Sequence, residues 1–297
     1  MQRPLKDYLQ LHFIILILGF TAILGTLISI HSVSTVFFRT SIATIGIYFF
    51  LKARKVDLSI TSTAKVKLLA VGFLISLHWF LFFFAAKIST VAICLAGFST
   101  GSLWTSFIEP FWYKRKIRIY EVILGLVVIG GLYLIFLSEV NHIWGLLLGM
   151  LAAMLSALFS VINSTLTQRY PSSLITFYEM MGAAITSFVP LVILALNHTL
   201  SLDMIIPQGL DWLWLAILSL VCTVYAFTAT VDLLYKFSAF TFNLALNLEP
   251  IYGIVFAYCI FGEKEQMTQG FYWGAAIILA SVLVYPLFSR LSQKKIA

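Results

Sequence analysis

Charge is what this chain has least of. Only 10% of its 297 residues are Asp, Glu, Lys or Arg, where a soluble domain carries about 25%. So little polar surface cannot coat a water-soluble globule, which excludes a soluble fold and makes lipid the solvent for most of the molecule. Cysteine is scarce as well. Cys94, Cys222 and Cys259 fall inside separate apolar runs with no CxxC or Cys/His spacing, which excludes a disulfide framework or a metal site and leaves small buried hydrophobes. Strand-like alternation is missing, which argues against a membrane β-barrel. No P-loop or other ATP-binding motif is present, so any pumping draws on an ion gradient or on exchange. No cofactor is implied.

What is abundant is apolar: 61% of the residues are hydrophobic and the mean hydropathy is +1.00. A bilayer core takes about 20 apolar residues per helix. Ten segments meet that length, near 10–30, 33–51, 67–86, 90–112, 119–138, 143–166, 172–196, 211–234, 238–261 and 268–289. Leu, Ile, Phe and Ala dominate them. Arg3 and Lys6 ahead of the first give it a signal-peptide look, but it is as long as a full span and an even count requires it.

The net charge of +7 would point to nucleic acid or an anionic surface in a soluble protein. Here the basic residues occupy short links between apolar runs and report orientation instead. With the N-terminus in the cytoplasm, the inside links hold Arg3, Lys6, Lys52, Arg54, Lys55, Lys65, Lys67, Lys114, Arg115, Lys116, Arg118, Arg169, Lys236, Arg290, Lys294 and Lys295. The outside links hold Lys87 and Lys264 alone, and Arg39 falls within a span. That split of 16 to 2 predicts both termini on the cytoplasmic side and an even number of spans.

An internal repeat accompanies the topology. A shift of 149 residues sets Lys87-Ile88-Ser89 on Lys236-Phe237-Ser238, Leu95-Ala96 on Leu244-Ala245, Phe107 on Phe256, Gly125 on Gly274 and Ile129 on Ile278. A slightly different shift pairs Phe37-Phe38-Arg39 with Phe177-Tyr178-Glu179. The repeat divides the chain into residues 1–140 and 141–297, five helices each. An odd number per half forces the halves into opposite orientations. The charges agree, since the link Lys114-Arg115-Lys116 is basic while its counterpart Glu263-Lys264-Glu265 is acidic. Inverted repeats are a hallmark of secondary transporters, whose sites lie near the midplane between the halves.

On these residues the chain resembles the EamA family of the drug/metabolite transporter superfamily, over nearly its whole length. The resemblance rests on Phe38-Arg39 early in the second segment, the Lys-x-Ser entries at Lys87 and Lys236, and Leu248-Glu249-Pro250-Ile251-Tyr252 followed by Phe261-Gly262-Glu263. It rests also on Gly125 and Gly274 in the last helix of each half. The first half departs from the pattern, with Thr100-Gly101 in the place of Glu249-Pro250 and Lys114 replacing the acidic residue of the Gly-Glu link. Glu109-Pro110 comes about two turns later. The resemblance implies a cavity between the halves, alternating access, and substrates ranging over amino acids, other metabolites and drugs.

Ionisable residues inside a span cost a few kcal/mol on insertion scales, about 2.5–3.5 at the helix centre, and so are functional candidates. Glu249 lies about 16 Å into its segment at 1.5 Å per residue, near the midplane, and Pro250 beside it predicts a kink that frees carbonyls next to the carboxyl. Arg39 and Glu179 lie about 10 Å from opposite faces, as substrate-facing or gating charges or as structural pairs. Glu109 and Asp232 read as pairs near the inner surface. His78, Trp79, Trp104, Asn163, Tyr225, Asn243 and Asn247 complete the candidate set for substrate or coupling. A lone intramembrane His is more often an interhelical hydrogen bond than a proton relay. Asn243 and Asn247 share one face of a helix, but Glu249 is about 200° from Asn247, so a straight helix would not bring all three to one cavity. Gly97-Phe98-Ser99-Thr100-Gly101 matches the G-x-S-x-G elbow of hydrolases, but that motif needs a strand–turn–helix. Close helix packing explains it better, as it does Gly145 and Gly149.

The expectation is therefore an all-α, multi-pass protein of the bacterial inner (cytoplasmic) membrane, ten helices in two inverted sets of five, monomeric or homodimeric. Its partners are the lipid bilayer and a small-molecule substrate, with no nucleic acid. The expected function is secondary transport, in the export direction, of an amino acid, a related metabolite or a drug. The alternatives are a membrane-embedded transferase or hydrolase, a passive channel, and a non-transporting scaffold. The scaffold predicts no water-accessible cavity.

Overall fold

The computed structural model describes residues 4–138, 140–262 and 267–294. Among the described residues there is no strand. The helices are α1 (Leu5–Leu27), α2 (Ser32–Ala53), α3 (Ser62–Ile88), α4 (Val91–Phe98), α5 (Gly101–Tyr113), α6 (Ile119–Ser138), α7 (Ile143–Leu166), α8 (Ser172–Leu196), α9 (Leu202–Ile205), α10 (Asp211–Ala216), α11 (Ala226–Lys236), α12 (Ala239–Leu246), α13 (Glu249–Phe261) and α14 (Gln269–Lys294). A π-helical stretch, Ile217–Tyr225, joins α10 to α11. Among the described residues, eight helical spans are long and apolar enough to cross a membrane, counting α4 with α5, α10 with α11 and α12 with α13 as single spans. Lipid offers no partner to backbone amides, so each crossing must bond within itself. Starts are marked by capping side chains: Thr61 accepts from Ala64 N at 3.3 Å, Thr90 from Ile93 N at 3.2 Å and Ser238 from Thr241 N at 3.1 Å.

Two spans expected to be continuous are broken. The first is cut at Ser99-Thr100 into pieces of 8 and 13 residues, and the second at Asn247-Leu248 into pieces of 8 and 13. By these breaks Val91 answers to Ala239 and Gly101 to Glu249. Gly101-Ser102 thus holds the place of Glu249-Pro250, one residue off the register read from side-chain identities. In the first break Ser99 Oγ donates to Leu95 O at 3.1 Å and Thr100 Oγ1 to Gly97 O at 2.9 Å, local bonds that compete with the helix. In the second, Pro250 at the start of α13 removes an amide donor.

Packing pairs the elements across the molecule: α2 on α8, α6 on α14, α1 on α13, α4 and α5 on α7, and α3 on both α7 and α8. Glycine sets the closest approaches. A methyl on Gly97 would sit 2.4 Å from Leu146 O, one on Gly72 2.3 Å from Glu179 O, and one on Gly274 2.5 Å from Gly131 O. The Gly131–Gly274 contact is reciprocal, since a methyl on Gly131 would sit 2.7 Å from Gly274 O.

The links gather on two opposite faces. At one, Lys236 Nζ pairs with Asp7 Oδ1 at 3.3 Å, Tyr178 Oη donates to Leu58 O at 2.7 Å and Tyr113 Oη meets Ser164 Oγ at 2.8 Å. At the other, Asp211 accepts from Ser29 N and Oγ at 2.8 and 2.7 Å, His31 N donates to Met204 O at 2.8 Å, and Lys87 Nζ donates to Ile28 O at 3.0 Å and to Ile30 O. Arg3, Lys264 and Lys295, the acidic link at Glu263 and Glu265, and the side chains of Arg290 and Lys294 lie outside the described residues.

Candidate functional site

Between the spans lies a small cavity of about 60 Å³, lined from α1, α2, α3, α4, α7, α11, α12 and α13. That is room for a few waters. Its charged walls are Arg39 and Glu249, 1% and 3% exposed. Arg39 reaches it from the second turn of α2, and Glu249 from the first turn of α13, just past the break. The break turns Glu249 away from the asparagines: Asn243 Nδ2 donates to Ala239 O at 3.0 Å and Asn247 Nδ2 to Ser102 Oγ at 3.1 Å. Both asparagines therefore tie α12 to itself and to α5, and neither lines the cavity.

Arg39 is held on three sides. Its Nε donates to Thr223 Oγ1 at 2.8 Å, and the guanidinium lies 3.6 Å from the centroid of the Trp79 ring and 5.5 Å from that of Phe83. Stacking of this kind in a desolvated site contributes about 2 kcal/mol. Thr223 in turn donates to Leu218 O at 2.8 Å, five residues back in the π-helical stretch. Arg39 Nη1 is buried with no hydrogen-bond partner. Arg39 and Glu249 do not approach to ion-pair distance: the five ion pairs among the described residues, all within 4.0 Å, do not include them. Two opposite charges thus face one cavity without closing on each other.

The rest of the wall is aromatic and lightly polar. His78 Nδ1 bonds to Ala152 O at 2.8 Å, an interhelical bond that leaves the ring against Phe82, Phe98 and Phe159. Phe227 stands edge-on to Trp79, with centroids 5.6 Å apart. Thr21, Ser156, Ser160 and Thr230 supply hydroxyls, and Thr230 Oγ1 has no partner. Sequence reasoning passed over these four. Ser156 and Ser160 are spaced i,i+4 on α7 above Asn163, so a polar stripe was there to be found; Thr21 and Thr230 carried no signal.

The remaining candidates lie elsewhere. Trp104 packs against the main core with its indole Nε1 unpartnered. Tyr225 ends the π-helical stretch, half exposed, on a lateral groove with Ser172, Thr228 and Asp232. Glu179 and Asn163, both fully buried, are close neighbours on α8 and α7, apart from the cavity. The Asn163 amide is near enough to act on the Glu179 carboxyl, but the two do not meet in hydrogen-bond geometry. Glu109 pairs with the basic link as expected, but from a buried position rather than at the surface. Its Oε1 meets Arg115 Nη2 at 3.4 Å, and its Oε2 accepts from Phe240 N at 2.7 Å, capping α12 from α5. Asp232 pairs with Lys236 at 3.2 Å, as expected. Within the G-x-S-x-G stretch, Ser99 turns to its own helix and Gly97 packs on the Gly149 backbone.

Residues 143–285, the second half of the chain, match the EamA-like transporter family. These residues belong to that family, within the drug/metabolite transporter superfamily. The EamA match begins at α7 and ends within α14, so it takes in Glu249 and the broken span that carries it. No curated protein matches the chain. One crystal structure, whose description names no activity, superposes with a TM-score of 0.71 at 17% identity, covering 97% of this chain and 99% of that one. At that identity the likeness speaks for the fold alone, and it extends across both halves of the chain. EamA membership and the apolar spans together make this a multi-pass membrane protein of a transporter family, with a small-molecule substrate and a lipid surround.

Proposed function

We propose that the protein is a secondary transporter that exports a small zwitterionic metabolite with an apolar body, an amino acid or a close relative, by alternating access. One observation carries the reading: Arg39 and Glu249 face the same aromatic-walled cavity as unpaired opposite charges. A carboxylate on the substrate satisfies the guanidinium, whose Nη1 is otherwise unpartnered, and an ammonium satisfies the carboxylate. Trp79, Phe82, Phe159 and Phe227 accept the apolar part. A space of about 60 Å³ is too small for such a molecule, so loading requires the helices around it to part.

Ten spans arranged as two inverted sets of five, with both termini cytoplasmic in the inner membrane, fit this mechanism. The matched 8- and 13-residue pieces around the two breaks support the repeat, as does the reciprocal Gly131–Gly274 contact between α6 and α14. The concentration of Lys and Arg on the face of the α2–α3 and α5–α6 links supports a cytoplasmic assignment for that face.

The test is uptake into proteoliposomes of radiolabelled phenylalanine as probe, beside phenethylamine and phenylpropionate, which each lack one charge. Saturable uptake stimulated by trans phenylalanine, lost when either charge is missing and lost in Arg39→Lys and Glu249→Gln, is the expected result. Unsaturable flux would make the protein a channel. Equal uptake of all three probes would remove the zwitterion reading.

A further inference from the structure

The least satisfied polar groups in the molecule are not in the cavity. Glu179 is 0% exposed and neither carboxyl oxygen has a hydrogen-bond partner; Asn163 is 0% exposed and neither amide atom has one. They are close neighbours, four buried polar atoms without a hydrogen-bond partner among the described residues. Burying one unsatisfied amide costs about 1–3 kcal/mol and an isolated carboxylate far more, so a carboxyl in this position must hold a cation. On the α3 side the wall cannot close in to relieve it. Gly72 of α3 lies against the Glu179 carbonyl, and Gly182, one turn on, lies against the Leu69 backbone, so α3 and α8 cross in main-chain contact at this level.

No counter-charge is supplied by the elements packed on α8. From α2, Arg39 turns to Thr223 and Trp79, and Lys52 stands by the Tyr48 ring. From α3, His78 turns to Ala152 O and Lys87 to Ile28 O, while Lys65 and Lys67 are exposed near its start. From α11, Asp232 and Lys236 pair with each other, and Asp203 of α9 accepts from Gln208.

On the transport reading above, we propose that Glu179 and Asn163 form the binding site for a monovalent coupling cation, H⁺ or Na⁺, separate from the substrate cavity. The carboxylate takes the cation, and the Asn163 carbonyl supplies a further oxygen. Glu179 lies in the second turn of α8, so a modest parting of the helices around it admits solvent from the nearer face and lets the cation leave.

The whole protein is treated in detergent with dicyclohexylcarbodiimide, which modifies buried carboxyls, and labelling is mapped by peptide mass spectrometry. Labelling of Glu179 that falls as pH rises is expected, and it persists in Glu249→Gln. Suppression by NaCl but not by choline chloride assigns the site to Na⁺; indifference to NaCl assigns it to H⁺. No label on Glu179, or label indifferent to both pH and Na⁺, overturns the proposal. In proteoliposomes, a gradient of one pH unit or tenfold in Na⁺ drives about tenfold accumulation for one coupled cation, since about 1.4 kcal/mol is tenfold. Glu179→Gln is expected to lose that accumulation of phenylalanine, and retention would count against the site. If wild-type protein moves no phenylalanine at all, the transport reading fails, while the labelling still decides the cation site.

Discussion

Replacing Gly97 or Gly149 with alanine tests the main-chain contact between α4 and α7. A methyl on Gly97 would stand 2.4 Å from Leu146 O and one on Gly149 2.6 Å from Cys94 O, while Gly149 Cα lies 3.2 Å from the Gly97 methyl position. Every one of these neighbours is backbone, so no rotamer change relieves the overlap. Ordinary contact begins near 3.4 Å, so α4 and α7 must separate by about 1 Å, an overpacking that costs about 1–3 kcal/mol. Because both substitutions push the same pair of helices apart, the second should cost less once the first is in place, with a coupling of about 0.5–3 kcal/mol. Gly130→Ala is the control, since nothing lies within 4 Å of its methyl. Thermal unfolding of the four variants in one detergent is the assay. Gly97→Ala and Gly149→Ala should each unfold several degrees below wild type, the double variant less than additively, and Gly130→Ala near wild type. If the two single variants matched Gly130→Ala, or their losses simply added, the backbone contact between α4 and α7 would not exist as described.

Three further outcomes follow from the same geometry. Glu109→Ala removes the acceptor of Phe240 N and a partner of Arg115, so its melting temperature should fall by the equivalent of about 2 kcal/mol, with Glu109→Gln falling less. Thr223→Val deletes both the bond from Arg39 Nε and the bond to Leu218 O, leaving a buried guanidinium with two unpaired nitrogens; a loss of about 1.5–3 kcal/mol should appear in Thr223→Val and be absent in Thr223→Ser. His31 accepts from Val33 N at the start of α2, and burial followed by the Lys87 charge holds its pKa below the usual 6.5. The unfolded chain therefore binds the extra proton first, so stability present above about pH 6.5 declines as pH falls toward the folded value; melting curves across that range should flatten in His31→Asn, whose side chain still caps.

The crossings and their basic links were legible in the sequence because both depend on composition alone. Twenty apolar residues must become a helix in lipid, whatever they pack against. The relation among Asn243, Asn247 and Glu249 was legible only in part. Their spacing said that a straight helix cannot bring them to one cavity, and in the structure only Glu249, past a break at Asn247-Leu248, lines it. The π-helical stretch had no mark in the sequence. It coincides with a tertiary bond, Arg39 to Thr223, between residues 184 positions apart.

The charges show most clearly what pattern reading cannot reach. Arg39 and Glu179 hold corresponding places in the second helix of each half by sequence, yet they meet different surroundings. Arg39 receives a hydroxyl, an indole face and an opening onto a cavity. Glu179 receives one unbonded amide and a glycine-lined crossing. A sequence can place a charge at a depth in the membrane, but its chemistry follows from what the neighbouring helices turn toward it. On the two proposals above, that difference separates a group that binds a substrate carboxylate from one that holds a cation of its own. A carrier that coupled the two would need helices bridging both sites, and α3 is such a bridge. It carries Trp79 at the cavity and Gly72 against Glu179, seven residues or about 10 Å apart along one helix.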